Sequence, residues 1–171
     1  IICKYYISEE DVNKGKNVPL FANEYSYYSD FYHMIDYYII DDEIRVDRYK
    51  GTASYNNFYI DEYYTFSTVG EHTVKLYINI NKMINDGRGD EGFFAKGLDF
   101  AFAFSFCNDL ISVDFSNFKE SNMIESMRSM FDSCSNLTSV TFGNNFNTSN
   151  VTNMTWMFYD CESLTSLDLS N

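Results

Sequence analysis

The chain has 171 residues, 45% of them hydrophobic, enough to bury a real core in one or two domains. A formal charge of -13 gives a surface that repels phosphate backbones and argues against nucleic acid as a partner. No apolar run approaches the roughly 18 residues of a membrane span, so the sequence is not expected to cross a bilayer.

The chain begins Ile1-Ile2 without a Met, as expected of a processed or trimmed piece. In the first half, Ile2–Ile7 is strand-like by composition. Tyr37–Ile40 and Glu43–Val46 flank Asp41-Asp42, the pattern of a hairpin. Val74, Leu76, Ile78 and Ile80 alternate with polar or amphipathic residues, as in a half-buried strand. Tyrosines occur in adjacent pairs, Tyr27-Tyr28, Tyr37-Tyr38 and Tyr63-Tyr64. Neighbours on a strand point to opposite faces, so one of each pair is expected at the surface. His33 and His72 accompany no nucleophile motif, and His72 reads as a turn or surface histidine.

Fourteen of the 15 tyrosines lie in the first 77 residues, whereas the second half is rich in Ser, Asn, Phe and Met. That shift places a boundary within 81–97, where Asn85-Asp86-Gly87-Arg88-Gly89-Asp90-Glu91-Gly92 reads as a loop. Arg88-Gly89-Asp90 matches an integrin-type recognition tripeptide, and Asp86, Asp90 and Glu91 offer oxygen ligands without EF-hand spacing. Ordinary loop chemistry accounts for both.

The second half repeats. AFSFCNDLISVDF (103–115), MFDSCSNLTSVTF (130–142) and MFYDCESLTSLDL (157–169) align at a spacing of 27 residues. Met127, Met130, Phe131 and Cys134 fall at i, i+3, i+4 and i+7, one face of a helix. Met154, Met157, Phe158 and Cys161 repeat the pattern, and Phe100, Ala103, Phe104 and Cys107 precede it. The period then changes to two, as in Val140-x-Phe142 and Leu167-x-Leu169. Each unit therefore reads as a short helix, a turn and a short strand, stacked because one unit cannot bury its apolar face alone. With no Cys-x-x-Cys pair, Cys107, Cys134 and Cys161 read as a column of buried free thiols, not a disulfide ladder or a metal chain. Packed helices lie about 8–10 Å apart, too far for disulfides. The sequons at Asn136, Asn147, Asn150 and Asn153 read as turn chemistry.

The run M-x-x-M-F-x-x-C-x-x-L-x-x-L-D-L-S, with FNTSNVTNM between units, closely resembles the repeat of about 26 residues in BspA-like bacterial surface proteins. YTFSTVGEHTVKLYI (64–78) resembles the closing strand–turn–strand of Ig-like or PKD-like modules. The expected fold is an α/β solenoid of the leucine-rich-repeat type over 98–171, three units with the last truncated. A small all-β, Ig-like sandwich over 1–80 and a connecting loop over 81–97 precede it.

The resemblance implies an extracellular or cell-surface adhesin-type module that binds a host or bacterial surface protein or glycan. No enzyme activity, cofactor or metal is expected. The outward positions of the stacked strands are the candidate ligand contacts: Ser112 and Asp114, Ser139 and Thr141, Ser166 and Asp168. Trp156, whose counterpart one unit earlier is Ser129, is expected outside the core as a further contact. The uncapped end of the last unit is expected to self-associate. The alternative is a structural or receptor-binding component of a gut bacteriophage virion.

Overall fold

A computed structural model describes residues 1–21, 31, 34–47, 62–79 and 97–168. β1 (Ile2–Ile7) alternates as its sequence demands, with Cys3, Tyr5 and Ile7 fully buried and Tyr6 exposed. α1 (Glu9–Lys14) starts from a capping box between Ser8 and Asp11 and ends at Gly15, left-handed at φ 60°. β2 (Val18–Phe21) follows. β3 (Ile35–Ile40) and β4 (Ile44–Asp47) form the hairpin around Asp41-Asp42. Both turn residues have positive φ, 49° and 62°, as a primed two-residue turn requires. β5 (Glu62–Tyr64) pairs with β2 in a small antiparallel sheet, so it does not form a hairpin with β6 (Gly70–Ile78). The Tyr5 hydroxyl donates to the Leu20 carbonyl and the Tyr5 ring stacks on Phe66 at 6.5 Å, tying β2 to the core under β1.

The second half supplies β7 (Leu98–Asp99), β8 (Leu110–Asp114), β9 (Ile124–Ser126) and β10 (Ser139–Thr141). β7 and β9 pair in parallel, and Asn153 continues that row by a bridge to Ser126. β8 and β10 also pair in parallel, but β8 is antiparallel to β1. The result is one six-stranded mixed sheet, in the order β10-β8-β1-β6-β3-β4, to which both halves contribute strands.

Between the two strand rows lie 100–107, 127–134 and 154–161, the segments expected as helices. Each is a run of tight turns instead. Phe102, Ser129 and Trp156 have φ of 60°, 51° and 58°, and Phe106, Ser133 and Asp160 have φ of 61°, 59° and 52°. No α-helix passes through left-handed residues at that interval. Alternate amides leave the unit altogether. Phe100, Phe102, Phe104 and Phe106 donate to the carbonyls of Ser126, Arg128, Met130 and Asp132 at 2.8–3.0 Å. Met127, Ser129, Phe131 and Ser133 donate in the same way to Asn153, Thr155, Met157 and Tyr159. The amides between them close three-residue turns, for instance Cys134 onto Phe131. Side chains follow the same register. Phe104, Phe131 and Phe158 form a ladder at 5.4 Å per step with planes within 5°. The Cys134 and Cys161 thiols donate to the Phe104 and Phe131 carbonyls at 2.9 and 3.0 Å.

These findings overturn the expected architecture. The chain is mostly β, and helix is almost absent among the described residues, its defined pieces being α1 and a 3-10 turn at Ser121–Met123. The α/β solenoid of the leucine-rich-repeat type is therefore set aside. The Ig-like sandwich expected ahead of it is replaced by the mixed sheet. The reason is spacing: helices pack about 8–10 Å apart, whereas strands in one sheet sit about 4.8 Å apart. A layer of helices keeps step with a strand row only by curving the array, whereas turns stacked at main-chain hydrogen-bonding distance keep the same rise as the strands. Connectors stack equally tightly. At Gly143, with φ 75°, an added Cβ would lie 2.7 Å from Ser116 Cα.

Phe131→Ala is expected to lower stability by about 3–5 kcal/mol in urea unfolding, because the ring is fully buried between two others. Phe158→Ala, at a half-buried position, should lose clearly less; equal losses would refute the stacking order. Ser129→Gly should instead raise stability by about 1 kcal/mol. It relieves a left-handed non-glycine residue and removes a buried hydroxyl without a partner among the described residues. An unchanged or lower unfolding midpoint would refute that account.

Candidate binding surface

Partners across a β ladder point to the same face, so the register defines the outer surface of the large sheet. One row runs Arg45, Ile39, Lys75, Ile2, Asp114, Thr141 across all six strands. A second runs Thr73, Lys4, Ser112, Ser139. Tyr37 lies opposite Asp47 and Tyr77, and Tyr6 opposite Glu71. The residues between them, Cys3, Tyr5, Tyr38, Ile40, Val74, Leu76, Val113 and Val140, are buried beneath.

Four of the expected contacts, Ser112, Asp114, Ser139 and Thr141, thus lie together on this face. Ser166 and Asp168 do not join them in the sheet, because 164–168 forms no strand, and Asp168 lines an apolar cavity with Met127, Phe142, Phe146 and Met157. Trp156 is exposed, but on the turn column, with its ring 6.5 Å from Tyr159 and 5.7 Å from the Arg128 guanidinium. Arg128 also faces Phe102 at 5.6 Å.

The register adds residues that the sequence did not single out. Tyr37 and Tyr77 stack at 4.3 Å with 14° between planes, and the Arg45 guanidinium sits 3.6 Å from the Tyr37 centroid. Tyr6 and Tyr77 are exposed, with Lys4 paired to Glu71 and Lys75 to Asp42 at the surface. This end of the sheet is aromatic and charged, and the β8–β10 end is small and polar. Only the adjacency of β1 and β8 joins them, and no local pattern encodes that pairing. Of the tyrosine pairs, Tyr38 is buried under exposed-side Tyr37, and Tyr63 is more exposed than Tyr64. Tyr27-Tyr28, His33 and the whole 85–92 loop, with Arg88-Gly89-Asp90 and the Asp86, Asp90, Glu91 ligand set, lie outside the described residues.

His72 is not the turn or surface residue expected. It is a buried residue of β6, with ring nitrogens 2.6 Å from Asp41 Oδ2 and 2.9 Å from the Thr68 carbonyl oxygen. The Thr73 amide donates to Asp41 Oδ1 at 2.8 Å. This network pins the β3–β4 turn onto β6, a structural task. The sequon asparagines serve turns. Asn147 and Asn153 accept from the Ser149 and Thr155 amides, and Asn150 donates to the Asn122 carbonyl. Among the described residues no group of three or more His, Cys, Asp or Glu is placed to hold a metal ion.

All four cysteines are free. Burial pushes the Cys3 thiol up to about 12, burial raises Cys134 well above its ordinary range, and half-buried Cys161 is pushed to about 11 by the same cause. Folded thiols therefore keep protons that unfolded thiols release above about 9. The stability this confers is whole below pH 9 and declines as pH rises from 9 toward 12, by about 1.4 kcal/mol per pH unit for Cys3. Alkylation of the folded chain should modify Cys161 first and leave Cys3, Cys107 and Cys134 untouched until unfolding. Early labelling of Cys134 by mass spectrometry would contradict the column.

Residues 98–171 match the family model described as Mycoplasma protein of unknown function, DUF285. No curated protein and no solved structure matches the chain. Among the described residues no helix is long and apolar enough to cross a membrane. The family match falls on the three repeated units and loosely fits a bacterial surface-protein repeat, a coarser statement than the BspA-like resemblance of the Met-Phe-x-x-Cys motif.

Proposed function

We propose that this chain is a surface-associated binding module of a bacterial protein, without catalytic activity of its own, and that the outer face of the six-stranded sheet is its contact surface. The observation that carries this reading is the continuity of that face. Polar positions Ser112, Asp114, Ser139 and Thr141 share rows with Lys4, Ile2, Lys75 and Arg45, beside exposed Tyr6 and the Tyr37–Tyr77 stack. Tyrosine side chains supply rigid contact area at low entropic cost, Arg45 is held over the Tyr37 ring, and the small hydroxyl positions leave the β8–β10 end open to close approach. Surface ion pairs such as Lys4–Glu71 contribute little to folding, which leaves these charges available to a partner. An open sheet face suits a protein or glycan surface better than a small molecule, which needs a concave pocket.

The test is a screen of glycans and matrix proteins against the chain, repeated with Tyr77→Ala and with Thr141→Arg. Thr141→Arg changes an exposed side chain and should leave the unfolding midpoint in place, whereas Tyr77→Ala also loses the Tyr37 stack, about 0.5–1.5 kcal/mol, and is assayed where the chain remains folded. Each is expected to weaken binding by about tenfold, the effect of losing about 1.4 kcal/mol of contact. Binding that survives both variants moves the site away from this face, with Trp156 and Tyr159 as the next surface to mutate.

A further inference from the structure

The turn column carries a slot on its outer side. Phe102, Ser129 and Trp156 occupy one position in three successive units, all left-handed, at φ of 60°, 51° and 58°. The first and third bear rings, whereas the middle residue has only a short side chain and is fully buried. Arg128, the residue before it, is exposed and lays its guanidinium into the gap, 5.6 Å from the Phe102 ring centroid and 5.7 Å from that of Trp156. Both distances are within reach of a cation–π contact. Arg128 belongs to the middle unit and has a unit on either side, so both walls of the slot lie within the described residues.

The charge in this slot is unlike the others. Lys4, Lys14, Lys16, Arg45 and Lys75 are each ion-paired with a carboxylate. Arg128 meets no carboxylate among the described residues, in a chain with 25 Asp and Glu. Lys119 meets none either, but no ring holds it in place. A guanidinium held between two rings uses its faces and keeps its in-plane N–H donors for another partner. The main chain beneath is already paired. Every amide from Phe100 to Cys107 and from Met127 to Cys134 has an acceptor.

We infer that Arg128 anchors a binding site for a carboxylate-bearing glycan, with Phe102 and Trp156 as its walls. A planar fork of free donors calls for a planar anion, and a carboxylate presents two oxygens at the matching spacing. The formal charge of -13 opposes a dianionic phosphate more than a singly charged carboxylate. A peptide carboxylate would bring main-chain carbonyls that need donors, and the amides of this surface have none to give. An acidic sugar brings instead an apolar ring face for Trp156 and Tyr159, whose rings lie 6.5 Å apart. The site is on the turn column, so the inference does not depend on the sheet face being a contact surface.

The experiment uses the whole chain and tetragalacturonate, with its methyl ester as the uncharged counterpart and end-blocked tetraglutamate as a peptide of equal charge. Trp156 is the single tryptophan, so its emission reports on one wall of the slot. Tetragalacturonate should shift that emission saturably and move the Arg128 Nε–H resonance. The ester and the peptide should bind about tenfold more weakly or worse. Arg128→Gln and Arg128→Lys should each weaken binding by about tenfold or more, the lysine because an ammonium lacks the planar fork. Unfolding curves of both variants fix conditions in which all chains compared are folded. The inference is overturned if tetragalacturonate leaves both signals unaltered, or if its ester binds as well as the acid. It is also overturned if Arg128→Gln keeps the parent affinity, or if tetraglutamate binds as tightly, which would make an acidic peptide the occupant.

Discussion

Hydrogen bonding of the main chain from each repeated unit to the next governs the second half of this molecule. It fixes the rise between units at the spacing of neighbouring strands, and every other feature has to fit within that rise. Aromatic rings fit as flat stacks, as the Phe104, Phe131 and Phe158 ladder shows. Thiols fit because sulfur reaches the carbonyl of the preceding unit. Helices, about twice as thick, fit only where the array curves to make room for them. The chain accepts left-handed Phe102, Phe106, Ser129, Ser133, Trp156 and Asp160, at about 1–2 kcal/mol each, and gains stacked rings and a paired amide at alternate residues.

The same rise lets β8 and β10 lie in one sheet with β1. Because β1 is paired on both sides, with β6 and with β8, its side chains link the two halves. Cys3, Tyr5 and Ile7 enter a common core below, while Lys4 and Tyr6 set the middle of the outer face above. The candidate surface is a product of this one insertion. Remove it, and the tyrosines and the small polar positions belong to separate sheets.

Much of this was legible from local pattern. The strand at Ile2–Ile7, the Asp41-Asp42 hairpin, the alternation in β6 and the 27-residue register of Phe131 and Cys134 all follow from residues close in sequence. The helix expectation failed for a definite reason. Apolar residues at i, i+3, i+4 and i+7 face one side of a helix, but also one side of a coil of three-residue turns, so Met127, Met130, Phe131 and Cys134 are buried either way. Periodicity reports which side chains share a face and is silent on where the amides point. Long-range pairing was equally hidden, since nothing near Lys4 announces Ser112 as its neighbour. His72 was misread because its partner Asp41 lies a hairpin away.

The insertion of β1 also bears on the order of folding. Ile2 pairs with Lys75 on one side and Asp114 on the other, so β1 leaves the ribosome long before either neighbour exists. Until then Ile-Cys-Lys-Tyr-Tyr-Ile is an unpaired, strongly β-forming segment with a single charge. High contact order of this kind slows folding and lengthens the time during which such a segment can pair wrongly. The native place of this strand is complete only once the first repeated unit has been made, so the topology of the sheet sets a late step in its assembly.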